Sequence, residues 1–261
     1  MIAHNLDPIL FTLGPLSVRY YGLFYALGFV IAYFLIYHLA KKKHLSLSKD
    51  DAGDLIFYTI LGTVIGARVF YVLFYNLGSY IQSPLEIFAI WHGGLSFHGG
   101  LVGGVLAVAF FCRKKKVSFY EISDIMAIPL SLGLAIGRIG NFINGELWGR
   151  VTNLPWCIDY SKNQHMALIP EGCRHPSQIY ESLYSLVIFT VLYLLNPKNL
   201  PKGTLTWLFV ALYGFFRTAT EFVREPDTQL GFLFGGLTMG QLLSIPMFLV
   251  GAFMVWKKLN S

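Results

Sequence analysis

"PLSLGLAIGRIGNFINGELWGR", residues 129–150, is the stretch on which the reading of the fold turns. No charge lies between Asp124 and Arg138, so an apolar run leads directly into two arginines, two asparagines and a glutamate. About 20 apolar residues cross the hydrocarbon core of a bilayer as a helix, and a charge at that depth is expensive unless it is paired or has work to do. The rest of the chain has the same character. Of 261 residues, 55% are hydrophobic and 13% charged, and the mean hydropathy is +0.56. A soluble domain carries about 25% charged residues. Too little polar surface remains to cover a soluble globule, and the expected class is an all-α polytopic membrane protein.

Outward from that stretch, seven apolar segments are expected to span: 18–40, 53–75, 94–112, 122–143, 178–196, 203–223 and 236–256. "SPLEIFAIWHGG", from Ser83, reads as a short interfacial helix, with Trp91 at a depth that suits tryptophan. Orientation follows from lysine and arginine. Lys41–Lys43, Lys49, Arg113–Lys116, Lys198, Lys202, Lys257 and Lys258 make twelve of the twenty basic residues and fall on one side. Cytoplasmic loops are enriched in such residues, which places the N-terminus outside and the C-terminus in the cytoplasm. The net charge of +6 is thereby explained by topology, and nucleic acid is not implied. No basic region or small-residue cleavage site precedes the first apolar segment, so that segment is expected to be retained. The organisation expected is one transmembrane domain, 1–261, with an external cap at 145–177 between spans four and five. Cys157 and Cys173 in that cap can pair if it faces an oxidising compartment.

Eight basic residues lie outside the cytoplasmic loops: Arg19, Arg68, Arg138, Arg150, Lys162, Arg174, Arg217 and Arg224. Arg138 and Asn141 share a helix face, near Asn144, Glu146 and Arg150. A guanidinium there cannot deprotonate, so it faces a partner or an anionic ligand. A structural tie from Arg138 to Glu146 or Glu221 is the competing reading. In "YGFFRTATEFVRE", residues 213–225, Tyr213, Arg217, Glu221 and Arg224 are spaced to share one helix face, and Arg217 and Glu221 are able simply to neutralise each other. In "HGGLSFHGG", residues 92–100, the two histidines are six apart, which is not the helical spacing of a zinc pair. His98 is the better candidate proton acceptor, with a satisfied buried histidine as its alternative. Arg68, with Tyr75 seven residues on, and Tyr20, Tyr21 and Tyr25 are further candidates, with interfacial anchoring as the tyrosines' other role. Ser177 and Glu181 read as a cap for span five. Gly62/Gly66, Gly99/Gly103, Gly100/Gly104, Gly133/Gly137 and Gly236/Gly240 have the spacing of close helix packing. No nucleophile elbow, P-loop or HExxH is present. Arginines within a bilayer's outer half have a phosphate as their natural counterpart, and a phosphate there belongs to a phospholipid headgroup.

"GRIGNFINGELWGR" and "HGGLSFHGG" resemble the signature stretches of the phosphatidylglycerol–prolipoprotein diacylglyceryl transferase family, and so do "RYYGLFYALGF", "RHPSQIYE", "YGFFRTATEFVREPD" and "MGQLLSIPM". The resemblance implies a seven-span enzyme of the bacterial inner membrane with its site toward the periplasmic leaflet. It would move the diacylglyceryl group of phosphatidylglycerol onto the lipobox cysteine of a preprolipoprotein signal peptide, without cofactor or metal. By motif, Arg138 and Arg217 are the essential arginines, and Asn141, Glu146 and Glu221 are important. Tyr21, His98 and Gly149 match further functional positions. Arg68, Tyr75, Asn144, Tyr213 and Arg224 are expected to contact substrate. A transporter of an anionic lipid would use the same arginines without bond breaking, and a structural membrane subunit leaves them unexplained unless all pair with Glu146, Glu221 or Glu181.

Overall fold

The computed structural model describes residues 1–166, 168–226 and 231–260. Among these, seven helices of 18–26 residues stand where the apolar segments are: α1 (Tyr20–Lys42), α2 (Lys49–Phe74), α4 (Phe97–Lys115), α5 (Phe119–Asn144), α6 (Ser177–Leu195), α7 (Thr204–Glu221) and α8 (Met239–Leu259). A shorter α3 (Leu77–Gln82) follows α2. Five of the seven, α1, α2, α5, α6 and α8, are long and apolar enough to cross a membrane.

The chain is not wholly helical. Strands β2 (Ile9–Leu13) and β3 (Leu16–Arg19) form an antiparallel hairpin, and β1 (Ile2–Ala3) pairs in parallel with β4 (Ile158–Asp159). Gly14, at φ +57°, supplies the left-handed residue of the hairpin turn. Residues 18 and 19 therefore finish a strand rather than start the first span. The interfacial helix expected from Ser83 is replaced by two 3₁₀ turns, Pro84–Phe88 and Ile90–His92. Ser177 is not a cap either. Pro176 stands at the N-cap with no side-chain cap, and the Ser177 hydroxyl donates to Leu147 O at 2.8 Å.

The chain forms two compact units, Ile36–Ser123 and Met1–Leu35 with Asp124–Ser261. In the first, α2 and α4 cross at their glycines. A Cβ on Gly103 would run into the Gly62 carbonyl, and one on Gly99 into the Gly66 carbonyl. Such approach lets backbones pack where lipid offers no hydrophobic drive. Ser48 closes a capping box with Asp51 at the start of α2, and Lys115 at the end of α4 pairs with Asp51. Arg68, 4% exposed, donates five hydrogen bonds to the carbonyls of Glu86, Ile87, Ala89, Gly93 and Gly94. That uses all five of its donors and fixes the 86–94 turn, so the structure gives Arg68 to the backbone rather than to a substrate.

In the other unit, Asp124 caps α7 from α5, accepting from Gly203 N at 2.7 Å and from Thr206 N and Oγ1 at 2.8 and 2.7 Å. Helix α7 packs along α8 and α6, and Ser182 of α6 bonds Ala135 O of α5 at 3.0 Å. Among the described residues, Gly133, Gly137 and Gly236 have no close neighbour, so of the expected glycine pairs Gly133/Gly137 does not pack and Gly236/Gly240 packs only at Gly240. The segment 149–152 lies between 173–175 and 223–224, through Gly149 N to His175 O, Arg150 N to Val223 O and Thr152 N to Cys173 O. The cap is tied further by the Cys157–Cys173 disulfide. Tyr160 is fully buried under it, and burial pushes its phenol up to about 12, opposed by a hydrogen bond from Gln178. His4 anchors the N-terminus, with Nε2 2.7 Å from Phe142 O and Nδ1 2.7 Å from Asn163 Nδ2.

Candidate active site

The end of α5 answers why an apolar helix stops in polar residues. Gly145 takes φ +67°, and the bonds Gly145 N to Phe142 O and Glu146 N to Asn141 O complete a left-handed C-terminal cap. This folds Glu146 back over the last turn. Its Oε1 accepts from Asn141 Nδ2 at 2.8 Å and Asn144 Nδ2 at 3.0 Å, while Gln178 Nε2 holds the Glu146 carbonyl at 2.7 Å. Asn141 Oδ1 in turn accepts from Arg138 Nη1 at 3.2 Å.

Arg138 has its ion pair with neither Glu146 nor Glu221. Its carboxylate is Glu181 of α6, with Nε 2.8 Å from Oε2. The amides of Asn141 and Asn144 have already engaged Glu146, which explains the difference. Glu181, with 1% of its side chain exposed, also meets Arg217 Nη1 at 3.2 Å and Arg224 Nη1 at 2.9 Å, both on Oε1. Arg217 Nη2 meets Glu221 Oε2 at 2.9 Å. Glu221 fits because Gly240 of α8 has no side chain; a Cβ there would lie 2.6 Å from the carboxylate. Three guanidiniums from α5, α7 and the turn after α7 thus converge on two buried carboxylates.

The network keeps donors in reserve. Arg138 Nη2 and Arg217 Nε make no hydrogen bond among the described residues, and neither is among the fully buried atoms that lack a partner. Both therefore border accessible space, with side chains 20% and 14% exposed. They are cations with unengaged N–H groups, suited to an oxyanion.

Other expected residues fall around this core. Tyr21 lies against α5, where a Cβ on Gly140 would come 2.8 Å from its ring, and its hydroxyl is 3.0 Å from that of Tyr25. Tyr213 packs on Phe209 and Tyr184. Arg224 does not continue the α7 face. The helix stops at Glu221, and Arg224 lies in an antiparallel bridge with Gly149. Gly149 is a backbone crossing, where a Cβ would lie 2.5 Å from Val223 O and 2.6 Å from His175 Cβ. Arg150 braces the same turn, donating from Nε to Arg224 O at 2.9 Å. In the unit 36–123, His98 is exposed at the first turn of α4, beyond the Ser96 cap. Tyr75, at the end of α2, is exposed and stacks on Tyr71. Among the described residues no three His, Cys, Asp or Glu side chains gather as a metal set. Sequence reasoning left Glu181 out of the site, naming it only as a cap with Ser177 and, on a structural reading, as a partner of the arginines. Its signal was a lone carboxylate within the apolar run of 178–195.

The family model for prolipoprotein diacylglyceryl transferase matches residues 8–257. The chain belongs to the prolipoprotein diacylglyceryl transferase family. A relative from Geobacter sulfurreducens is 48% identical over 254 residues, covering 96% of this chain and 94% of its own. One from Aeromonas hydrophila is 46% identical, covering 97% and 90%, and one from Legionella pneumophila strain Lens is 47% identical, covering 97% and 98%. All three bear the name phosphatidylglycerol–prolipoprotein diacylglyceryl transferase. The "GRIGNFINGELWGR" stretch thus supplies, in this family member, one arginine of the cluster and the capped turn beside it.

Proposed function

We propose that the chain transfers the diacylglyceryl group of phosphatidylglycerol to the lipobox cysteine of a preprolipoprotein, in the inner membrane of a bacterium. The observation that carries this reading is the cluster of Arg138, Arg217 and Arg224 on Glu181 and Glu221, with donors left over, in a chain of this family. In the proposed step the cysteine thiol loses its proton, and its sulfur attacks the glycerol carbon that carries the phosphate. A carbon–sulfur bond forms, the carbon–oxygen bond breaks, and its electron pair leaves with glycerol phosphate. Negative charge grows on the leaving oxygen, where Arg138 and Arg217 act as fixed donors. Asn141, Asn144 and Glu146 shape the headgroup pocket beside Arg138. Glu221 orients Arg217, and Tyr21 and Tyr213 flank the lipid. Arg224 completes the positive cluster, and Gly149 admits the backbone that carries it. The thiol's proton passes to a base, for which the sequence offers His98, with a tyrosinate or a water-relayed path as alternatives. A thiol titrates near 8.5, so attack near neutral pH needs such help. The nucleophile belongs to the peptide, so the chain's own cysteines need not react.

The proposed topology is seven spans, N-terminus outside, with 145–177 as a periplasmic cap. Helices α4 and α7 have 19 and 18 residues, about 27–29 Å at 1.5 Å per residue, close to the core thickness of about 30 Å. The Cys157–Cys173 pair supports an oxidising side for the cap. Each of the three arginines does meet Glu181 or Glu221, as a purely structural role would require, and what favours the transferase reading over it is the family together with the unengaged N–H groups of Arg138 and Arg217. Incubating the purified chain with phosphatidylglycerol and a lipobox peptide tests the activity. Thioether product and free glycerol phosphate are expected, with neither from a Cys→Ser peptide. Binding of lipid without glycerol phosphate would point to a carrier instead.

A further inference from the structure

Arg150 is the charged residue of "GRIGNFINGELWGR" that the proposed step leaves unused. Its backbone is held from both sides: Arg150 N donates to Val223 O at 2.8 Å, and Arg150 O accepts from His175 N at 3.0 Å. Its guanidinium meets no carboxylate within ion-pair distance among the described residues. It turns to main chain instead, with Nε donating to Arg224 O at 2.9 Å and Nη2 to Glu221 O at 3.4 Å. The ring of Phe232 faces it, 5.2 Å from Cζ.

These contacts fall where the charged cluster is built. Helix α7 ends at Glu221, and the last carbonyls of a helix have no partner within it. A guanidinium there satisfies them and lies at the negative end of the helix dipole. The two carbonyls that Arg150 holds belong to Glu221 and Arg224, whose side chains meet Arg217 and Glu181. Phe232 is bridged to Thr238, which caps α8 just before Gly240 makes room for Glu221. Arg150 thus joins the segment after α5, the turn after α7 and the entry to α8. A planar fork on a fixed backbone sets the spacing of what it binds. We propose that Arg150 is a positioning residue: it clamps the 221–224 turn so that Arg224 and Glu221 reach the cluster in register, and it does not itself hold the lipid. This rests on the transferase reading, which gives the cluster its work.

The test uses the full chain with phosphatidylglycerol vesicles and a lipobox peptide. Wild type, Arg150→Gln, Arg150→Lys, Arg224→Gln and the Arg150→Gln/Arg224→Gln double variant are compared. Three quantities are read: kcat per folded enzyme, KM for the lipid, and amide hydrogen exchange at 222–224. For Arg150→Gln, kcat should fall about 30-fold as the cluster shifts. Its lipid KM should stay within about twofold of wild type, and exchange at 222–224 should quicken about 10-fold. Arg150→Lys keeps the charge without the fork, so its kcat should fall about 10-fold. With Arg224 already replaced, Arg150→Gln should cost less than about threefold more, since most of what it places is gone. A brace that only stabilised the fold would reduce the amount of folded enzyme and leave kcat per folded enzyme at the wild-type value, which overturns the proposal. So does a raised lipid KM at wild-type kcat, the mark of direct phosphate contact, and so do fully additive losses in the double variant. Should Arg150→Gln not fold, Arg150→Lys decides: lower kcat at unchanged KM supports the assignment, and wild-type kcat overturns it. If the wild type itself makes no thioether, the transferase reading fails separately. Exchange at 222–224 then still decides whether Arg150 holds the turn, and unchanged exchange overturns the clamp.

Discussion

Replacing Arg138 by lysine keeps the charge and removes the geometry. The Arg138 guanidinium is held on two sides and open on the third: Nε lies 2.8 Å from Glu181 in an ion pair without hydrogen-bond geometry, Nη1 donates to Asn141 at 3.2 Å, and Nη2 is unengaged. An ammonium is a single point with three donors and cannot hold those directions from one plane. Lysine in this place settles on Glu181, the nearest carboxylate, and withdraws from the phosphate. Losing one preorganised donor to a developing oxyanion costs about 3–4 kcal/mol of barrier. The retained charge recovers part of this, which leaves about 2–3 kcal/mol and a roughly 30- to 150-fold fall in kcat. The assay is steady-state thioether formation from phosphatidylglycerol vesicles and a lipobox peptide, with the melting temperature measured alongside. The lipid KM should change little, because net charge is conserved. A folded Arg138→Lys enzyme with kcat within about threefold of wild type would refute a directional role for this guanidinium, since any point charge would then serve.

Gly149→Ala pushes a methyl group toward Val223 O and His175; overpacking of about 1–3 kcal/mol should lower the melting temperature and displace Arg224, with transfer falling even in the folded fraction. Removing the Cys157–Cys173 bridge, whose partners are 16 residues apart, should weaken the cap by about 3 kcal/mol, seen as faster hydrogen exchange across 150–177. The His4 ring is pulled below its ordinary pKa by burial, against an opposing bond to Phe142 O. A depressed value means that its contribution is intact above the unfolded pKa of about 6.5 and is lost as pH falls through the folded one. Exchange protection of residues 1–6 should therefore drop on acidification, and His4→Gln should flatten that dependence.

The helices were legible because hydropathy is a local signal, and each apolar run ended at glycine, proline or charge. The N-terminal hairpin was not, since "ILFTLGPLSVR" is apolar on both sides of its turn and merges by composition with the first span. The polar end of α5 announced a site, and Arg138, Asn141, Asn144 and Glu146 do stand together there. Their pairing was not readable. Glu181 lies 36 and 43 residues before the two arginines it shares on one oxygen, and non-local ion pairs leave no spacing in a sequence. Its interval from Ser177 suggested a local cap instead. Arg68 was misread for a related reason: its partners are carbonyls, which every residue carries and no motif encodes. Arg224 has the spacing to extend α7, yet the backbone of 223–224 pairs with 149–150 and the helix gives way.

The carboxylates explain why such a cluster is possible at all. Two unit charges about 5 Å apart interact with about 3 kcal/mol at an effective dielectric constant near 20. Three largely enclosed guanidiniums alone would therefore repel one another by an amount comparable to a protein's whole stability. None of them can escape by losing its proton. Glu181 and Glu221 offset that repulsion and lock the arginines in place before any substrate arrives. The same neutralisation weakens the pull on a phosphodiester that already bears one charge. What the cluster gains is direction. Its unengaged N–H groups are fixed ahead of time, so charge that appears on the leaving oxygen meets donors that need not reorganise. On this arrangement ground-state lipid binding is modest, and the advantage is concentrated in the transition state.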